Sequence, residues 1–275
     1  MEVEMNRSRL IVVAGLIVLV VVGLFVFLRQ PSIPGTSSMD GEDIGALLAS
    51  GQAYFEAGEY SKAIADLEAV VEANPKNSEA YFLLGQAYNR TSALMKAADA
   101  FNTVISLDPD NAAAHHNLGV TYYQLQDPSA ALPQFQAALA LDPEDADTHY
   151  QLGATYLTLA LPADQMAPPN AELLSKAIAE FEEALALREG MPEALIGIGN
   201  VYLQQANYDA AIEALKQALN NAPKSPEANY ALASAYAQSG DVETACETYQ
   251  QFLDLNPPAI WKSQAEQAMM ILGCE

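Results

Sequence analysis

An all-α solenoid is the fold class this sequence predicts, and a register, a set of helix stops and a pairing of small with large residues predict it. In the register, a small residue recurs at Gly51, Gly85, Gly119, Gly153, Gly199 and Ala233. A tyrosine follows three residues later, at Tyr54, Tyr88, Tyr122, Tyr156, Tyr202 and Tyr236, and an alanine further on, at Ala63, Ala97, Ala131, Ala177, Ala211 and Ala245. The steps are 34 residues long except for one of 46. The stops are Pro75, Pro109, Pro143, Pro223 and Pro257, which close five of the six units because a proline cannot continue a helix. The large residue comes four positions past each alanine, as Leu67, Phe101, Phe135, Phe181, Leu215 and Tyr249. A unit of this length is a helix pair that cannot bury its apolar face alone, so it stacks on its neighbours and the stack leaves a groove.

Three segments precede the units. Residues 1–9 are a short tail carrying Arg7 and Arg9. Residues 10–28 are uncharged and almost wholly aliphatic. As a helix they span about 28 Å, enough for one crossing of a hydrocarbon core. A cleaved leader is the competing reading. The run is longer than a leader's apolar core and ends in Arg29, Gln30 and Pro31 with no small-x-small site, so a retained single transmembrane helix is expected. Arg7 and Arg9 outweigh Arg29, which predicts a cytoplasmic N-terminus and repeats outside a bacterial-type cell membrane. The opposite topology is the alternative. Residues 29–43, with Pro31, Pro34, Gly35, Ser37, Ser38 and Gly41, show no apolar period and read as a flexible linker.

The units run 44–77, 78–111, 112–145, 146–191, 192–225 and 226–259, with residues 260–275 as a capping helix. The small residue of each unit marks a close helix crossing, and the tyrosine three residues on shares its helix face. Asn77, Asn111, Asp145 and Ser225 are placed to cap the next helix. Glu79, Asp147, Glu193 and Glu227 fall in first turns, where the helix dipole favours negative charge. Pro133 lies inside the second helix of the third unit and is expected to remove a hydrogen bond and bend it. The 46-residue step carries an insertion of 12, placed in the turn at residues 161–170 with Pro162, Pro168 and Pro169. A turn insertion disturbs stacking least. In the cap, Trp261, Ala265, Ala268 and Met269 form an apolar stripe. Antiparallel stacking puts Cys246, near the start of the sixth unit's second helix, and Cys274, just past the cap, on one edge. They form either a disulfide or two unpaired thiols.

These units resemble the tetratricopeptide repeat (TPR) family over residues 44–259. The family's tryptophan is replaced by Leu47, Tyr81, His115, His149, Leu195 and Asn229, and Ser50 stands where a large aliphatic residue is usual. The resemblance implies a right-handed TPR superhelix whose first helices line a concave groove for an extended peptide or a partner helix. Carried over, the groove positions include Phe55, Phe82, Gln86, Asn89, Arg90, His116, Tyr123, Tyr150, Asn200 and Tyr230. Rings supply contact area at low entropy cost, and amides pair with a peptide backbone. Family members that grip acidic chaperone tails use a clamp of lysines, arginines and asparagines. The matching positions here are Leu48, Gln52, Leu83, Ala113 and Asn117, so the two-carboxylate clamp is absent and Arg90 is left as a carboxylate anchor.

The charge narrows the partners. Thirty-five acidic residues against 12 basic ones give −23, with no basic stripe to neutralise phosphates, so nucleic acid is not an expected partner. The acidity reads as a solvated outer surface or as a docking face for a basic partner. No phosphate-binding glycine loop, nucleophile elbow, zinc-protease helix or CxxC pair occurs, so no enzyme activity and no cofactor are expected. His115, His116 and His149 lack further ligands at matched spacing and read as packing residues, with no metal. The expected function is a non-catalytic, membrane-anchored scaffold for a protein or extended peptide. It would act within a multi-protein envelope complex, in assembly or secretion at the outer face of the membrane. Its alternatives are the same scaffold facing the cytoplasm and an accessory subunit of an enzyme complex.

Overall fold

Thirteen helices and no strand make up the described residues, 41–162 and 167–274 of a computed structural model. Twelve of them form six antiparallel pairs: α1 (Gly41–Glu56) with α2 (Tyr60–Ala73), α3 (Ser78–Arg90) with α4 (Leu94–Leu107), and α5 (Ala112–Gln124) with α6 (Pro128–Leu141). Next come α7 (Ala146–Ala160) with α8 (Ala171–Leu187), α9 (Pro192–Gln204) with α10 (Tyr208–Asn221), and α11 (Pro226–Ser239) with α12 (Val242–Asp254). The last helix is α13 (Ala259–Leu272). The described residues thus form an all-helical repeat solenoid. The predicted membrane span, residues 10–28, lies outside the described residues; among those described, no helix is long and apolar enough to cross a membrane. Helix α1 starts at Gly41, inside the stretch assigned to the linker, with Glu42 and Asp43 in its first turn where the dipole favours them.

Local chemistry sets the ends of each helix. Asn77, Asn111, Asp145 and Ser225 each accept a backbone N–H in the first turn of α3, α5, α7 and α11, at 2.9 to 3.1 Å. Within a pair, the first helix closes by a reverse turn in which the repeat tyrosine's carbonyl accepts from the residue five positions on. Glu59 N–H donates to Tyr54, Ala93 to Tyr88, Asp127 to Tyr122, Asn207 to Tyr202 and Asp241 to Tyr236. That closure needs a residue at positive φ. Gly58 and Gly240 supply it freely, while Ser92, Gln126 and Ala206 adopt it at φ 59°, 61° and 55°. Pro133 does not interrupt α6, which runs on to Leu141. The proline and Ser129, whose carbonyl it leaves without an intrahelical donor, are both exposed, so water can take that bond.

The core is a row of glycine-to-ring contacts. A Cβ built on Gly85 would meet Phe101 at 2.6 Å, one on Gly119 would meet Phe135 at 2.7 Å, and one on Gly153 would meet Phe181 at 2.8 Å. Leucine replaces the ring in the first and fifth pairs, where Gly51 faces Leu67 and Gly199 faces Leu215. Phe101, Phe135, Phe181 and Phe252 are almost wholly buried. The fourth pair absorbs the insertion in three places. Against the usual three-residue turn its connection has ten residues, α7 is two residues longer than its neighbours α5 and α9, and α8 is three longer than α6 and α10. The added residues of α8, 171–173, lead into Leu174, which is buried at the register position where α6 and α10 begin. The long connection begins and ends at one point: Asn170 donates its N–H to Ala160 at 2.8 Å and its side chain caps α8. Both helices of the fourth pair still stack on α9.

The C-terminal end is closed differently. Trp261, Ala268 and Met269 surround buried Ala265 and pack on Tyr249 and Phe252. Phe252 and Trp261 stack with centroids 6.3 Å apart. Cys246 and Cys274 are joined in a disulfide, with Cα atoms 5.6 Å apart and 28 residues of separation. The closed loop contributes about 3 kcal/mol through the unfolded chain.

Candidate functional groove

The pairing of helices decides which face is concave. First helices of successive pairs touch one another: α3 with α5, α5 with α7, α7 with α9 and α9 with α11. Second helices make no comparable set of contacts. A stack whose first helices crowd and whose second helices splay curves with the first helices inside. All ten groove candidates stand on this inner set.

Four of the aromatic candidates share one geometry. Phe82 meets Phe101 edge-on at 5.8 Å, His116 meets Phe135 at 6.0 Å, Tyr150 tilts on Phe181 at 6.0 Å and Tyr230 meets Tyr249 at 5.8 Å. Each ring therefore rests on the core ring of its own pair and remains half-buried. The core fixes its orientation, so little side-chain entropy is left to lose when a ligand covers it. Tyr230 is held further by Phe252 at 5.4 Å and Trp261 at 6.0 Å, which ties it to the cap. Phe55 leans on Tyr60 at 5.5 Å.

Some polar candidates are occupied by the neighbouring repeat. Asn89 exchanges hydrogen bonds with Thr121 at 3.0 and 3.2 Å, His116 contacts the Thr148 hydroxyl through Nδ1, and the Tyr123 hydroxyl meets that of Thr158 at 3.0 Å. These bonds join one first helix to the next and set the pitch of the groove. Burial pushes the His116 imidazole below its ordinary range, with Asp145 and Asp147 opposing. The Tyr150 phenol is pushed up, by burial first and then by Tyr123, Glu193 and Glu227. His115 and His149 sit behind the groove. Their Nε2 atoms face the carbonyls of Pro109 and Pro143, and their Nδ1 atoms meet Gln134 and Glu180 at 2.9 and 2.8 Å. Among the described residues no group of three or more potential ligands could hold a metal ion. The repeat tyrosines stay out of the groove as well. Lys62, Lys96 and Lys176 lie 5.1, 5.1 and 6.0 Å above the rings of Tyr54, Tyr88 and Tyr156.

Among the recesses of the inner face, two each join three first helices. The first, of about 280 Å³, joins α1, α3 and α5 and is lined by Phe55, Gln86, Asn89, Arg90, Asn117, Val120 and Gln124. Four of the candidates meet here. Gln124 was not among them, although it stands 34 residues after Arg90 and the register pointed to it. The second recess, of about 470 Å³, joins α7, α9 and α11 beside Tyr150, Ile196, Glu193 and Glu227. Asn200 lies half-buried on α9 and lines neither.

The tetratricopeptide repeat family model matches residues 48–112, 92–146, 116–168, 170–226 and 196–260, which together span most of the chain. No curated protein matches the sequence. Among solved structures, MamA is similar at 26% identity and a TM-score of 0.59, over 67% of this chain and 94% of that one. PilW, described as a type IV pilus biogenesis factor, is similar at 17% identity and a TM-score of 0.68, over 82% and 99%. YrrB, described as a TPR protein with an unusual peptide-binding site, is similar at 21% identity and a TM-score of 0.56, over 66% and 88%.

Proposed function

This chain belongs to the tetratricopeptide repeat family, and from that premise we propose that it is a protein-interaction scaffold whose concave face holds an extended segment of a partner protein. The observation that carries the reading is the row Phe82, His116, Tyr150 and Tyr230, half-exposed rings each fixed on a core ring and repeated along one curved face. Fixed rings beside amides are suited to a chain in extended form, because the rings take alternate side chains and the amides take the backbone. YrrB's own description names a peptide-binding site, though its likeness to this chain extends to the fold alone.

We infer further that residues 10–28 anchor the scaffold in a membrane and that the repeats lie on its outer side, serving a multi-protein envelope complex. The apolar length supports the anchor, and Arg7 with Arg9 against Arg29 supports the direction. The disulfide supports the same direction, since such bonds persist in oxidising compartments. A photo-crosslinking residue at Gln86, on the groove, should give a discrete protein adduct in intact membranes. The same residue at Glu182, exposed on α8, should not. Adducts from Glu182 alone would move the partner to the outer face. Protease added to spheroplasts should digest the repeats; protection until lysis would reverse the topology.

A further inference from the structure

A helix that closes a repeat stack is expected to turn a polar face outward. Helix α13 does not. Its inner side carries buried Ala265 with partly buried Trp261, Ala268, Met269 and Leu272, packed on the sixth pair. Its outer side carries Ile260, Met270 and Ile271 at 68%, 78% and 77% exposure. Only Met95 matches them among the large hydrophobic side chains of the described residues. Ile260, Gln264, Gln267 and Ile271 follow at steps of four, three and four. Those steps lay them along one line of the helix over three turns, about 16 Å. Both glutamines are exposed as well. The line bears no charge, in a chain at −23. The helix's own two charges, Lys262 and Glu266, stand together at 3.9 Å, off the line. Both ends of the helix are fixed: Trp261 stacks on Phe252, and the disulfide through Cys274 ties down the far end.

We propose that the outer face of α13 is a self-association surface, on which a second copy of this chain docks its own α13 antiparallel about a two-fold axis. The line reads the same in both directions: isoleucine, glutamine, glutamine, isoleucine. Its positions are symmetric about the midpoint between Ala265 and Glu266. A two-fold axis there sets Ile260 against Ile271 of the partner subunit and Gln264 against Gln267 of the partner subunit. The apolar ends bury each other, and the central amides hydrogen-bond across the axis. An isologous interface requires such self-complementarity. A parallel pair would match any sequence to itself, and an unrelated partner would need no symmetry. Charge selects the place too. Two bodies at −23 repel wherever their carboxylates meet, and this line offers none. The inference goes beyond the scaffold reading and does not rest on the groove.

Sedimentation of the full chain in detergent tests this. At about 100 µM the wild type should be dimeric, since one helix from each copy makes a small interface of micromolar strength. Added salt should tighten the dimer by screening the two acidic bodies. Ile260→Ser with Ile271→Ser, both at exposed positions, should weaken it by at least about a hundred-fold and leave the helical circular-dichroism signal. Charge exchange reads the direction of the helices. Gln264→Lys with Gln267→Glu should keep or tighten the dimer, because the antiparallel pair sets opposite charges face to face. Gln264→Glu with Gln267→Glu should dissociate it. Phe82→Ala with Tyr150→Ala should dimerise like the wild type, so failure of the groove reading would leave this surface standing. A monomeric wild type would overturn the proposal. So would a dimer that survives Ile260→Ser with Ile271→Ser, which would place the contact elsewhere, residues 10–28 included. A photo-crosslinker at Gln267 that captures only a different protein in intact membranes would also overturn it.

Discussion

Phe101 in the second repeat and Phe181 in the fourth occupy the same register position, both are buried, and they are held very differently. Phe101 faces one glycine, Gly85. Phe181 lies between two, Gly153 on α7 and Gly197 on α9, whose added Cβ atoms would come within 2.8 and 2.5 Å of it. The sixth repeat supplies a natural control. There Ala233 stands in the glycine slot with Tyr249 still buried, so a ring at this register position can be accommodated beside a methyl group on its own pair's first helix. A ring pinned from both sides cannot. The repeat that carries the insertion is therefore also the one whose core ring joins two helix pairs most tightly.

Phe181→Ala should break that difference with the largest effect. It should cost about 4–5 kcal/mol in urea unfolding, against about 3–4 kcal/mol for Phe101→Ala, since two glycines offer nothing to collapse into the cavity. Equal losses would remove the distinction. Next in size is the cap. Cys246→Ser with Cys274→Ser should cost about 3 kcal/mol, and hydrogen exchange should rise first in α13. Glycine substitution then sharpens the comparison. Overpacking costs about 1–3 kcal/mol and an alanine in a helix returns about 1 kcal/mol, so Gly197→Ala should destabilise by about 1–2 kcal/mol and Gly85→Ala by close to none. Ala206→Gly should stabilise by up to about 1 kcal/mol, because φ 55° suits glycine better. A loss there would mean that the alanine methyl group packs usefully.

The smallest effect is electrostatic and confined to the fourth repeat. Arg188 forks onto Asp147 at 2.7 and 2.9 Å and holds that carboxyl below its ordinary range, chiefly by hydrogen bonding. A depressed carboxyl contributes stability that is present above its unfolded-state pKa and lost as pH falls through the folded value. The wild type should therefore exceed Arg188→Gln slightly at neutral pH, and the two should converge in acid. Both side chains are half-exposed, so salt should erase most of the gap.

What the sequence made legible was whatever repeats at one spacing. Gly85 with Phe101 and Gly153 with Phe181 follow from a register of 34, and so do the caps Asn77 and Asn111. Gly197 was missed because it lies two residues off that register, beside Gly199, where nothing marks it as a contact to the preceding pair. The positive-φ positions were hidden at Ser92, Gln126 and Ala206 because only Gly58 and Gly240 carry the residue that signals them. The groove candidates were found by position, but their commitments were not. Asn89 to Thr121 and His116 to Thr148 join unlike residues 32 apart, a spacing the repeat does not display. The recess at Arg90 depends on three helices meeting: Phe55, Gln86, Asn89 and Arg90 were named from the sequence one by one, and Gln124, one period after Arg90, was missed.

The central claim is that the inner row of core-supported rings holds the partner. Its most direct measurement is the affinity of the crosslinked partner for the wild type and for Phe82→Ala with Tyr150→Ala, each checked by circular dichroism. Anchor residues predict a loss of at least about 2 kcal/mol, on the order of thirty-fold, with helicity retained. An unchanged affinity in the folded double variant would contradict the account and place the partner on the outer face or the 161–170 connection.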